Sequence, residues 1–111
     1  MNQIALKQLQ KTIGELLPNG NPSIQLAANE IGTSSRTLQR HLAKADLSYS
    51  TLVDVVRFKK ACRMLETRRY KIGEIASLLG YADAGSFTRA FIRWYGSSPQ
   101  EYRKSRQQSL A

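Results

Sequence analysis

The residues best suited to chemistry in this sequence are basic and amide side chains set out at helical spacing. Arg36, Gln39 and Arg40 fall in the segment SSRTLQRHL, and Ser86 and Arg89 fall in a second segment, SFTRAF. A guanidinium can donate two hydrogen bonds to O6 and N7 of guanine, and a glutamine amide can pair with adenine, so these side chains suit the reading of base edges in a DNA major groove. The competing reading is a phosphate or water contact, because most hydrogen bonds from protein to DNA go to the backbone. Ser35, Thr37, His41, Lys71, Thr88 and Arg93 flank the first set and suit that backbone role. Arg68, Arg69 and Lys71 either clamp phosphates or form an ordinary solvated turn.

Catalytic chemistry finds no such support. His41 and Cys62 are the only histidine and cysteine, so they give no metal cluster and no intramolecular disulfide. There is no phosphate-binding glycine loop and no nucleophile elbow. No catalytic residue, metal or cofactor is expected, and the chain reads as a non-enzyme.

The elements that must position the candidate residues are written twice. Ile24, Ala28, Ile31 and Gly32 recur as Ile72, Ala76, Leu79 and Gly80, and Leu38, Arg40 and Leu42 recur as Phe87, Arg89 and Phe91. Each copy reads as a short apolar helix, a turn at glycine and a second helix with a polar outer face, a unit that fits the major groove. A solenoid usually needs at least three units to bury a continuous core, so two copies suggest a paired reading head.

The rest of the chain fits around them. Apolar residues from Gln3 to Leu17 keep helical spacing until the PNGNP run stops them. Ser23 can cap the helix from Ile24 to about Ile31, and Ser34 or Ser35 can cap the helix that runs to about Ala45. A longer helix is expected from about Ser50 to Arg68, with Leu52, Val55, Val56, Phe58, Ala61, Cys62 and Leu65 apolar and most other positions charged. At ~1.5 Å per residue it would span about 28 Å, near the roughly 34 Å of one DNA turn. Ile72 to Leu79 should form the second support helix, Asp83 or Ser86 should cap the second reading helix, and Trp94 and Tyr95 should close its core side. Pro99 suits the first turn of a short last helix through Tyr102 and Arg103, and the tail beyond Arg106 reads as frayed. The fold class is therefore all-α: two helix-turn-helix (homeodomain-like) subdomains joined by a long linker helix. The expected division is 1–48, 49–69 and 70–111.

Composition agrees with a nucleic-acid partner. Lysine and arginine number 17 against 8 acidic residues in 111, with pI near 10.1, a balance that favours a polyanion and promotes binding by counterion release. No apolar run approaches the length that spans a bilayer, and no signal-peptide core opens the chain, so no membrane partner is expected and the reading is cytoplasmic.

The segment IGEIASLLGYADAGSFTRAFIRWYGSSPQEYR, residues 72–103, with SSRTLQRHL, residues 34–42, resembles the DNA-binding domain of the AraC/XylS family of bacterial transcription regulators, over about Ser23 to Arg103. The resemblance implies sequence-specific binding of double-stranded promoter DNA, transcription regulation by an activator at the nucleoid, and contact with RNA polymerase. Carried over by position, it gives Arg36, Gln39, Arg40, Ser86 and Arg89 as base readers, with Thr88 and Arg93 nearer the backbone. Many members carry a separate effector-binding and dimerisation domain; nothing here resembles one, so the chain reads either as a short, standalone type or as an excised C-terminal domain, and the weakly patterned start favours excision. Two positions depart from the pattern. Ala84 and Gly85 stand where polar residues are common and offer little beyond backbone contacts. Asp46 stands where a glycine usually ends the first reading helix, a place aspartate tolerates better than most residues.

Overall fold

The computed structural model describes residues 5–109, and every described element is helical. The helices are α1 (Leu6–Leu16), α2 (Ile24–Glu30), α3 (Ser35–Lys44), α4 (Tyr49–Leu65), α5 (Ile72–Leu78), α6 (Ala84–Tyr95) and α7 (Pro99–Ser109). The expected start of the first helix at Gln3 and Ile4 lies outside the described residues. α1 passes at Leu17–Asn19 into a 3₁₀ turn that contains Pro18.

The two copies end their support helices in the same way. Gly32 (φ +80°) and Gly80 (φ +88°) adopt the left-handed conformation. The next amide in each turns back to the helix, Thr33 to the Ala28 carbonyl and Tyr81 to the Ala76 carbonyl, both at 2.9 Å. These are the reversed bonds that satisfy carbonyls a helix end would otherwise leave open. α3 and α6 start alike too, with Ser34 accepting from the Thr37 amide (3.1 Å) and Asp83 from the Ser86 amide (2.7 Å). Asp46 closes α3 at φ +60°, as its tolerance of that conformation led one to expect, and Leu47 donates back to Leu42.

One core runs through both copies. Leu9, Ile13 and Leu17 from the start of the chain join Leu38 and Leu42 of α3, and the cluster continues through Leu65, Ile75 and Leu79 to Phe87 and Phe91. α4 is shared: Val56 meets α1 near Gly14, while Phe58 packs against Phe91 at 5.7 Å.

Several expectations need correction. α4 ends at Leu65 rather than Arg68, and its seventeen residues span about 25 Å rather than 28. The end is set by side chains: Thr67 hydroxyl donates to the Met64 carbonyl, and the Arg103 guanidinium donates to the carbonyls of Leu65 (2.9 Å), Met64 (3.3 Å) and Tyr70 (2.7 Å). α7 is not a short helix with a frayed tail but continues to Ser109. Ser98 and Glu101 form a reciprocal capping box at its start, and Arg106 is held by Tyr102 hydroxyl and faces Glu66. Val55 and Tyr95, expected inside, are exposed, Tyr95 by 47%, although its ring still meets Tyr102 at 5.0 Å. Trp94 is half-buried, edge-on to Phe58.

The main surprise is Arg57, which sits among the charged positions of α4 yet is only 8% exposed. Its Nε donates to the Leu79 carbonyl at 2.9 Å, and its guanidinium lies 4.6 Å from the centre of the Tyr81 ring. A buried cation is tolerated where its donors are used and an aromatic face receives the charge. Here both partners belong to the turn of the second copy. That turn is also pressed against the first: a Cβ on Gly80 would lie 2.7 Å from the Leu17 carbonyl oxygen and 3.0 Å from Gly20.

Gly80→Ala and Gly32→Ala should therefore differ. Both meet the left-handed penalty of about 1–2 kcal/mol, but Gly32 has open space around it whereas Gly80 meets backbone. In chemical denaturation, Gly32→Ala should cost only that penalty and Gly80→Ala about 2–4 kcal/mol in all. Equal losses would show that the contact at Leu17 and Gly20 relaxes freely.

Candidate nucleic-acid interface

The face of α3 opposite Leu38 and Leu42 carries Arg36, Gln39 and Arg40, all exposed. Residues three and four apart on a helix share a face, so the structure gathers the three into one patch. Lys44, one turn beyond Arg40 and also exposed, continues the row. It was not among the candidates, although the repeat pointed to it: the offset that pairs Arg40 with Arg89 pairs Lys44 with Arg93.

The other α3 candidates lie elsewhere. Ser35 and Thr37 are half-buried in the first turn, and Thr37 Oγ1 accepts from the capping Ser34 hydroxyl at 3.0 Å. His41 is half-buried on the opposite flank, lining a groove with Leu6 and Leu9 of α1. It stands apart from the arginine row because its place on the helix corresponds to Ala90 of α6, which is fully in the core.

On α6 the structure brings Ser86, Arg89 and Arg93 to one side. Arg89 and Arg93 are exposed and Ser86 is half-buried. Arg89 folds back toward the helix start, its Nη2 donating to Ser86 Oγ at 3.4 Å. A Cβ on Gly85 would lie 3.4 Å from both Arg89 Nη1 and Asp83 Oδ1, so a side chain at 85 would stand in contact with the guanidinium. Thr88 faces the other way, into a cleft of about 320 Å³ shared with Ser98 and Pro99 of α7. Its counterpart Gln39 is exposed. Lys71 is exposed at the start of α5, where its amide donates to Glu74 at 2.9 Å.

The charges at these helix starts are tuned. The Ser86 amide, then the Ser86 hydroxyl, and more weakly Arg89, hold the Asp83 carboxyl below the ordinary aspartate value. Charge-assisted bonds to a carboxylate favour its ionised form. Among the described residues no group of histidine, cysteine and acidic side chains is placed to hold a metal ion, and no helix is long and apolar enough to cross a membrane.

Known proteins share this architecture. Residues 27–105 match the family described as "Helix-turn-helix domain". The chain is 40% identical over 88 residues to the ornithine utilization regulator of Pseudomonas aeruginosa, covering 79% of this chain and 26% of that protein. It is 36% identical to the solved transcriptional regulator CdpR of Pseudomonas aeruginosa, with TM-score 0.71 over 86% of this chain and 31% of that one. It is 25% identical to the DNA-binding domain of the global transcriptional factor AdpA, solved in complex with a target DNA, with TM-score 0.73 and 96% of each chain covered. The chain spans about a quarter of the length of the first curated relatives it matches.

The Asp83 carboxyl gives a pH prediction. Because its folded value lies below the unfolded one, its contribution to stability is complete above the ordinary aspartate value and is lost as pH falls through the lowered folded value. Asp83→Asn keeps a capping acceptor, so it should leave neutral-pH stability nearly unchanged and make thermal stability fall less steeply on acidification. An acid limb identical to that of the parent would remove Asp83 from the explanation.

Proposed function

We propose, because the chain belongs to the AraC-type family of bacterial helix-turn-helix transcriptional regulators, that it reads two adjacent major grooves of promoter DNA with α3 and α6 and acts as an activator that contacts RNA polymerase. The observation that carries this reading is the exposed row Arg36, Arg40 and Lys44 on α3, echoed by Arg89 and Arg93 on α6. Basic rows on outward helices supply phosphate attraction, and their arginines can address guanine. The domain is 49 Å in its longest dimension, ample for two contacts about 34 Å apart along one face of a duplex. The packing of the Gly80 turn against Leu17 and Gly20 supports a fixed spacing between the two heads.

Within this reading Arg36, Gln39 and Arg40 address bases from α3, and Ser86 and Arg89 do so from α6. Ser35, Thr37, His41, Lys71, Thr88 and Arg93 are assigned to the phosphate backbone, joined by Lys44. Half-burial of Ser35, Thr37, His41 and Thr88 makes them the weaker members of that set. α6 has fewer side chains for bases than α3, since Ala84 and Gly85 stand in its first turn. The first head should therefore carry more of the sequence preference.

Selection from random duplex DNA tests the proposal. Two short motifs about one helical turn apart are expected; a single motif would leave α6 as an electrostatic anchor, and no enrichment would reject the reading for this chain. Arg89→Ala should cost about 1–3 kcal/mol on the selected site and blur one base pair, whereas Lys71→Ala should weaken all duplexes alike and flatten the salt dependence. Equal losses on selected and random DNA would move Arg89 to the backbone set. Gly85→Gln, which intrudes on the space of Arg89, should change the selected motif more than the melting temperature; an unchanged motif would turn that helix start away from the bases.

A further inference from the structure

We propose that the trough between α1 and the C-terminal half of α4 is a docking surface for a carboxylate-rich segment of a partner protein. Lys7 and Lys11 of α1 face Lys59, Lys60 and Arg63 of α4 across a volume of about 360 Å³, with Glu15 the one acid on its lining. All but Lys60 are exposed. Among the described residues, none of the five cations has a hydrogen-bond or ion-pair partner; the one salt bridge there joins Arg106 to Glu66, just past the end of α4.

Packing draws one of these charges in toward the others. Gly14 lets α4 approach α1, and the stem of Lys60 occupies the space a side chain at 14 would need, its Cε 2.7 Å from where a Cβ would stand. Like charges gathered this way repel one another unless an anion neutralises them. An exposed basic face can persist by solvation alone, but here the charges line a concave trough, which focuses their field and steers an approaching anion.

Position selects the kind of anion. Leu6 and Leu9 of α1 face Leu38 and Leu42 of α3, while Lys7, Lys11 and Gly14 lie roughly a third of a turn further round α1. Arg36, Gln39 and Arg40 point away from that packing. A duplex seated on α3 therefore lies off the trough. Four of the five cations are lysines, which act as point charges rather than as the two-pronged donors that grip a single phosphate. Spread along two helices, they match carboxylates distributed along a peptide. Such complementarity sets association rate and specificity more than raw affinity. This inference rests on the DNA-reading proposal, because it takes α3 and α6 to be occupied by duplex.

Amide NMR titration of the full chain with a synthetic Asp/Glu-rich peptide tests it, once free and once saturated with duplex. The peptide should shift signals of Lys7–Glu15 and Val56–Arg63 in both states, and duplex alone should shift those of α3 and α6. Lys7→Gln/Lys11→Gln/Lys59→Gln should weaken the peptide at least about tenfold at low salt while leaving the salt slope of duplex binding unchanged. Peptide shifts confined to α3 and α6, or no shifts, would overturn the docking surface. A salt slope reduced by about 2 in the triple variant would overturn it too, by giving the trough to DNA phosphates. Failure of duplex to shift α3 and α6 would instead strike the reading on which the inference rests.

Discussion

The Leu79 carbonyl and the bare Cα of Gly80 decide how the two helix pairs sit against each other. α5 ends there, and its last carbonyl would face a poorly hydrated joint without a helical partner. Arg57 supplies the donor from α4, and Tyr81 receives the remaining charge on its ring. From the other side, the backbone of Leu17 and Gly20 presses to the distance that only glycine permits. The linker helix and the chain's opening segment thus grip one turn from two directions. A side chain at 80 or the loss of Arg57 would disturb this joint without touching α3 or α6.

Around that joint the two copies are alike where the backbone must be satisfied and unlike where the surface is used. Both support helices close with the same reversed amide, and both reading helices open with a capped amide. The outer faces diverge because their neighbours do. α7 packs beside α6 and half-covers Thr88, whereas Gln39 stays exposed on α3. The second head keeps the fold of the first and presents fewer side chains.

Periodicity and cap residues made most of this legible. Apolar spacing and cap residues gave the first six helices, because burial of one face leaves a repeating mark, Pro99 marked the start of the last, and glycine placed the turns, because few other residues accept positive φ. The arginine row on α3 followed from the same spacing. What stayed hidden depended on contacts between distant segments. Nothing near Arg57 in the chain marks it as buried, since its partners lie 22 and 24 residues away. Arg103, conspicuous as part of the motif, caps α4, a role its place in the sequence does not mark. The length of α7 was missed because its apolar content is low and its stability comes from the Ser98–Glu101 box and from Tyr102, whose hydroxyl donates to Glu66.

The cap supplied by Arg103 also bears on the order in which contacts can close. The carbonyls it gathers belong to residues 64, 65 and 70, made more than thirty positions earlier. While a ribosome delivers the chain, α1, α2, α3 and the front of α4 can close on one another, but the end of α4 must wait for α7 before its carbonyls are covered. The packing of α1 against α3 needs nothing from the second copy, whereas the Gly80 turn can press on Leu17 and Gly20 only after that copy has been made.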